Sequence, residues 1–266
     1  MSTSDHDTTE FQNASIEAAR LGGEVLIKWL GKTSTTEKGP RDLVTQADVE
    51  SQTVIRDFLA AEFPEHDFVG EESLIDETST QSDAVHQWIV DPLDGTTNYV
   101  HQLRSFAVSI ALQHNRQTIV GTVLDPVLDE RYSAAQGQGA TLNGSPIRAS
   151  GCTELEKSLF VFSFARGTRR NDPDAIRFLN MLENVGSIRR LGSAALNLCY
   201  VACGRTDGYW ATALQKWDVA AGWLIATESG ATLADFAGDK IDIERPHFCV
   251  AASPDLFEQV KPLLNI

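Results

Sequence analysis

Two aspartates three positions apart, Asp91 and Asp94 in WIVDPLDGTTNYVH, follow an apolar run and are followed by a glycine and two threonines. Further carboxylates stand at the edges of other apolar segments: Asp48 after DLVT, Glu71 and Glu72 after DFVG, and Asp218 after Trp217. Each has an ordinary alternative, since Asp-Pro and Asp-Gly pairs form turns and Asp48 or Asp218 can simply cap a helix. If four of them converge, they repel: two like charges about 4 Å apart cost on the order of 4 kcal/mol at an effective dielectric near 20. A cation must then be present, and oxygen donors without His or Cys suit Mg2+, Mn2+ or Ca2+ rather than zinc. The six histidines form no His-x-x-x-His or comparable pair, and His101 reads as a helix or core residue.

The residues between the aspartates support a metal cage with an anion cradle. Pro92 cannot continue a strand ladder, so it is expected to force a turn that aims Asp91 and Asp94 to one side and exposes the Leu93 carbonyl. Gly95 lets an anion approach backbone closely, and a threonine hydroxyl can donate to one oxygen while accepting from a water. Four carboxylates and a phosphate monoester dianion would be balanced by about three divalent ions.

The elements that must position these residues follow from periodicity. FQNASIEAARLGGEVLIKWLG reads as a helix ending at Gly31, after a polar tail of about ten residues. KTSTTEKGPR is expected to be a loop, and DLVTQADVESQTVIRDFLAAEF to begin a second helix with Thr45 and Asp48 in capping-box register. HDFVGEES and HQWIVDP read as short buried strands, and SFAVSIALQHNRQTIVGTVLDP as two strands around a polar turn. From SLFVFSFAR onward strands and helices alternate, with Ser193 as a helix cap, which predicts a layered α/β or α+β architecture. A boundary is expected near residue 150, dividing an N-terminal α+β part (1–150) with most of the candidate ligands from a C-terminal α/β part (151–266) with Asp218.

Composition excludes several classes. With 22 Lys and Arg against 37 Asp and Glu, the net charge is −15, which opposes binding to nucleic acid or anionic membrane. No leader is visible in MSTSDHDTTE, and runs such as FAVSIAL are too short to span a bilayer, so a cytoplasmic protein is expected. Cys199 and Cys203 lie in an apolar helical run and, with Cys152 and Cys249, read as buried or unpaired thiols rather than a disulfide or metal set.

In this order, DLVTQAD, GEES, WIVDPLDGTTNYVH and WDVAAGWLIATESG resemble the signature set of the inositol monophosphatase family of magnesium-dependent, lithium-sensitive phosphatases, over nearly the whole chain. The resemblance implies a layered αβαβα sandwich of the inositol monophosphatase and fructose-1,6-bisphosphatase type. It implies a first metal held by Glu71, Asp91 and the Leu93 carbonyl, a second by Asp91, Asp94 and Asp218, and a third, weaker ion on the Glu71 side: two to three Mg2+, with Mn2+ a possible substitute. Thr96, hydrogen-bonded toward Asp48, would orient the attacking water together with Glu71, while the Gly95, Thr96 and Thr97 amides would hold phosphate. Substrate hydroxyls would meet Asp94, Asp218 and the segment Gly192, Ser193 and Ala194.

One departure bears on specificity. Ala211, in GYWATALQKWD, stands where such enzymes carry a substrate-contacting glutamate. A small phosphomonoester, foremost inositol monophosphate, is the expected substrate; histidinol phosphate and other sugar or nucleotide phosphates are the alternatives. Arg166, Arg169 and Arg170 read as surface residues that could meet a second anionic group, and Lys38 as a solvent-exposed loop lysine that could alternatively help close the site over phosphate. The resemblance also implies a homodimer and lithium inhibition. A protein that keeps the fold and binds metal without turnover is the alternative from a different class.

Overall fold

The computed structural model describes residues 5–32, 35–39, 42–72, 84–165, 167–244 and 246–265. Helix α1 (Asp5–Trp29) begins within the stretch expected to be a polar tail, because Thr8, Phe11 and Ala14 are already buried. Helix α2 (Gln46–Glu62) lies against α1 so closely that a Cβ on Gly22 would come 2.6 Å from Ile55 Cδ1. The expected loop between them instead contains strand β1 (Thr35–Gly39), paired antiparallel with β2 (Asp42–Thr45). Its Thr, Glu and Lys residues lack the apolar alternation by which a strand is recognised in sequence.

The larger sheet has seven strands in chain order: β3 (Asp67–Gly70), β4 (His86–Asp94), β5 (Ala107–His114), β6 (Gln117–Asp125), β7 (Glu130–Ala135), β8 (Ala140–Leu142) and β9 (Ser145–Pro146). Only β3 and β4 pair in parallel; the other neighbours are antiparallel. Asn115 and Arg116, with φ of 49° and 63°, form the two-residue turn between β5 and β6, as a type I′ hairpin requires. Strands β7 to β9 had no counterpart in the sequence reading; β8 and β9 are only three and two residues long.

A second sheet, ordered β11-β10-β12-β14-β13, contains β10 (Leu159–Ser163), β11 (Ser187–Arg189), β12 (Gly208–Ala211), β13 (Thr232–Ala234) and β14 (Phe248–Ala251). The first three strands in that order are parallel and the remainder antiparallel. Helices α5 (Ala194–Ala202) and α6 (Lys216–Glu228) fill the space between the sheets; α1 and α2 cover the outer face of the first, and α4 (Pro173–Asn184) and α7 (Pro254–Leu264) that of the second. The result is a five-layer αβαβα sandwich, the architecture expected from the resemblance.

The middle core mixes Ile89, Ala111 and Tyr132 of the first sheet with Val161, Tyr209 and Phe248 of the second, so both sheets close on one apolar layer. All four cysteines are free thiols. Among the described residues no helix is long and apolar enough to cross a membrane.

Candidate metal centre

Strand β4 does not stop at Pro92. It runs on to Asp94 through a bulge: Asp91 pairs with Ser109 and Asp94 with Ala107, so the β4 side carries one residue more than the β5 side. The expected turn is therefore a kink within a paired strand, which the missing Pro92 N–H permits. Leu93 N donates back to Asp91 Oδ1 at 3.0 Å, and Ser51 Oγ of α2 reaches the Pro92 carbonyl at 3.2 Å. Gly95 then takes φ +95°, where a Cβ would lie 3.0 Å from the Ser105 carbonyl, and caps the short helix α3 (Thr96–Val100). The first amides of α3 have no partner within the helix.

Asp218 arrives from the opposite side of the fold. Its helix α6 is pressed onto β6, where a Cβ on Gly121 would sit 2.7 Å from the Ala221 carbonyl, and onto α5, where a Cβ on Gly222 would sit 2.8 Å from Leu198 Cβ. Asp218 Oδ2 accepts from Gln215 N at 2.7 Å, closing a capping box with the Gln215 side chain. Carboxylate oxygens of Asp91, Asp94 and Asp218 thereby come within 4.8 Å of one another.

The third wall is the start of α5. Gly192, at φ +90°, packs on the Asn98 amide, which donates to the carbonyls of Ser105 and Leu191 at 2.7 Å each. Ser193 caps α5 and donates its hydroxyl to Asp94 Oδ2 at 2.5 Å, and Ala195 N donates to the same oxygen at 2.7 Å. Ala194 lies between them, buried in the first turn.

Asp48 is buried at the start of α2, where Oδ2 accepts from Thr45 Oγ1 at 2.6 Å and from Thr45 N at 2.9 Å. The expected Thr96–Asp48 hydrogen bond is not formed. Thr96 Oγ1 donates to the Leu93 carbonyl at 3.1 Å, three residues back, and Thr45 supplies the hydroxyl on Asp48. Both are local contacts that close without any long-range approach. Thr97 follows in the same first turn of α3.

The charges are mutually unfavourable. Burial pushes the Asp91 carboxyl well above its usual range, and Glu71, Asp94 and Asp218 push it further. Asp218 rises to about 8 through burial and then Asp94. Asp94 rises to about 6 through burial, held back by its Ser193 and Ala195 donors. Asp48 rises to about 7 through burial, against the Thr45 hydrogen bonds, with Glu72 and Glu71 adding to the rise. Glu71, just beyond β3, is thus near enough to act on three aspartates, yet it stands outside the group within 4.8 Å. Glu72 is buried, and its amide donates to Gln52 Oε1 at 2.9 Å. Among the described residues the group that comes together offers carboxylate oxygens and no His or Cys, a donor set that fits a hard divalent cation.

Other expected residues fall elsewhere. His101 ends α3 and is exposed, as are Arg169 and Arg170; Arg166 and the side chain of Lys38 lie outside the described residues. Ala211 is fully buried at the end of β12, opposite Ser163 and Phe248, and brings no carboxylate to this corner. The sequence reading missed Ser51, Gln52 and Asn98 as supports. Asn98 gave no signal because its partner Leu191 is 93 residues away.

Comparison with known proteins agrees with this architecture. The chain is 40% identical over 246 residues to Nus factor SuhB of Vibrio cholerae, covering 91% of each chain. It is 39% identical over 263 residues to inositol monophosphatase 1 of Solanum lycopersicum, covering 97% of this chain and 95% of the relative. The solved inositol monophosphatase of Anabaena superposes with a TM-score of 0.86 at 36% identity, over 97% of this chain and 96% of that one. The profile of the inositol monophosphatase family matches residues 7–265, and with the five-layer fold already in place, the chain belongs to that family.

Proposed function

We propose that the protein is a magnesium-dependent phosphomonoesterase, acting on inositol monophosphate or a polyol monophosphate like it. The observation that carries this reading is the meeting of Asp91, Asp94 and Asp218 within 4.8 Å beside the unsatisfied first turn of α3. In it, Asp91, Asp94, Asp218, Glu71 and the Leu93 carbonyl hold two to three Mg2+, for which Mn2+ can substitute. When bound, these ions supply the positive charge that acidifies a water and neutralises the phosphate and the leaving oxygen.

The residues of the chain then divide the remaining work. Asp48, fixed through one oxygen by Thr45, keeps its other oxygen to accept a proton from the attacking water, a contribution typically worth about 10²- to 10⁴-fold. Thr96 orients that water, while the Gly95, Thr96 and Thr97 amides bind phosphate oxygens. Asp94 and Asp218, with Gly192, Ser193 and Ala194, meet the alcohol portion. With Ala211 in place of a carboxylate, one polar contact to that alcohol is lost, an effect of roughly 1 to 3 kcal/mol. Histidinol phosphate and fructose 1,6-bisphosphate therefore belong in any substrate panel.

Phosphate release from inositol 1-phosphate, histidinol phosphate and fructose 1,6-bisphosphate, with Mg2+ and with a chelator, tests the proposal. Magnesium-dependent turnover, fastest on the polyol monophosphate, is expected. A second reading, binding without turnover, is favoured by the name Nus factor carried by the Vibrio cholerae relative. No release from any panel member by folded, metal-loaded protein would establish that reading instead.

A further inference from the structure

At the end of the larger sheet away from the carboxylates, three imidazoles stand in a row. His86 opens β4 and its register partner His114 closes β5. His66 immediately precedes β3, whose first residue Asp67 pairs with Gln87. His114 Nδ1 and His86 Nε2 are 3.0 Å apart, and the ring centroids of His66 and His86 are 4.5 Å apart and stacked. Phe11 packs 5.3 Å from both of those rings, and Trp88 6.0 Å from His66. Two buried polar atoms of this cluster, His66 Nδ1 and Trp88 Nε1, have no hydrogen-bond partner.

We propose that His66, His86 and His114 form a second metal site, specific for a borderline divalent ion of the Zn2+, Co2+, Ni2+ or Cu2+ class. It lies about 16 Å along β4 from Asp91, at roughly 3.3 Å per residue. Imidazole nitrogen suits these ions, whereas Mg2+ demands oxygen. Bonds of about 2.0–2.1 Å in a tetrahedral shell set nitrogen ligands roughly 3.3 Å apart, so the His86–His114 pair needs to open by only a few tenths of an ångström. The three rings do not yet bring one nitrogen each within 4.8 Å of one another, so His66 joins only by rotating its ring toward the pair, with no hydrogen bond at Nδ1 to surrender.

The proton balance is internal. Asn115 Nδ2 lies 3.0 Å from His114 Nε2, and in the tautomer in which that amide donates, the His114 proton is on Nδ1, facing His86. On metal binding that proton moves to Nε2, and the Asn115 amide turns over to accept from it through Oδ1. Ligating histidines characteristically hold their second N–H in this way. The surroundings favour the ligating form as well, since burial and then His86 push His66 down to about 4. Glu10, Glu17 and Glu62 rim the adjoining groove of about 520 Å³ between α1 and α2, which reaches Phe63, itself stacked 4.9 Å from His66; their field favours a cation.

Equilibrium dialysis of tag-free, full-length protein against Ni2+ and Zn2+, with excess Mg2+ occupying the carboxylate centre, tests the site without reference to turnover. One equivalent is expected in the wild type. Affinity should weaken at least about tenfold in His86→Gln and His114→Gln, and by about tenfold in Asn115→Ala. In the unaltered protein, Ni2+ should broaden the imidazole NMR signals of His66, His86 and His114 before those of His101 and His247. Equal binding by wild type and both histidine variants, or broadening at His101 and His247 alone, would overturn the proposal.

Discussion

The two ends of β4 solve opposite problems. At its C-terminal end each aspartate of the centre has an oxygen held by a donor: Leu93 N for Asp91, Ser193 and Ala195 for Asp94, Gln215 N for Asp218. At its N-terminal end the imidazoles contact one another and aromatic rings, and polar atoms are left without partners. Charged groups of one sign scatter unless each is anchored, whereas neutral rings pack together through their faces. The carboxylate end therefore stores repulsion that a cation relieves, and the histidine end is folded with or without an ion.

The largest test of that contrast removes one anchored charge. Asp94→Asn should lower magnesium-dependent phosphate release by about 10²- to 10³-fold while circular dichroism stays native, the scale seen when a preorganised electrostatic group is lost. Retained turnover would take Asp94 out of the centre. Gly121→Ala attacks the same end from outside it, because the new methyl meets the Ala221 carbonyl and displaces α6 with Asp218. Overpacking of this kind should cost about 1–3 kcal/mol in denaturant unfolding and weaken Mg2+ binding; an unchanged Mg2+ affinity would show that α6 can shift without moving Asp218.

The pH dependence of stability should have opposite signs at the two ends. Asp94, Asp48 and Asp218 carry folded values of about 6, 7 and 8, above the ordinary carboxylate range. Between about pH 4 and 8 the folded chain thus holds more protons than the unfolded one, and its stability falls as pH rises. Chelated protein should lose melting temperature across this window, with Mg2+ restoring most at pH 8. His66 titrates near 4 in the folded chain, below its ordinary value, so its contribution to stability grows as pH rises from about 4 to 6.5. With Mg2+ saturating, that rising limb should flatten in His66→Gln. The smallest effect is expected for Thr45→Ala, at about 1 kcal/mol for a lost helix cap. Its kcat should fall less than that of Asp48→Asn, because Asp48 keeps its place in α2.

What could be read in the sequence follows how local each feature is. Asp91 and Asp94 announce themselves within three residues, and Thr45 with Asp48 is a capping box visible in the chain. Ser193 was legible as a helix cap, though its bond to Asp94, 99 residues away, was not. The supposed Thr96–Asp48 contact failed because each side chain found a nearer partner. Strand β1 was hidden by its polar composition, and β8 and β9 by their brevity. Gly121 carried no meaning until α6 was laid across it. The histidine row is the extreme case: nothing in the spacing of His66, His86 and His114 suggests proximity, which arises only from strand register.

Because Asp218 sits in a helix clamped between two sheets, the centre has a place in the timetable of synthesis. The second sheet is continuous only when β14, which follows Asp218 in the chain, has entered between β12 and β13. A nascent polypeptide emerging N-terminus first can pair β3 through β9 early, yet Asp218 meets Asp91 and Asp94 only after α6 has emerged and packed against that sheet. The carboxylate centre is thereby completed across the layers of the fold rather than within any one stretch of chain.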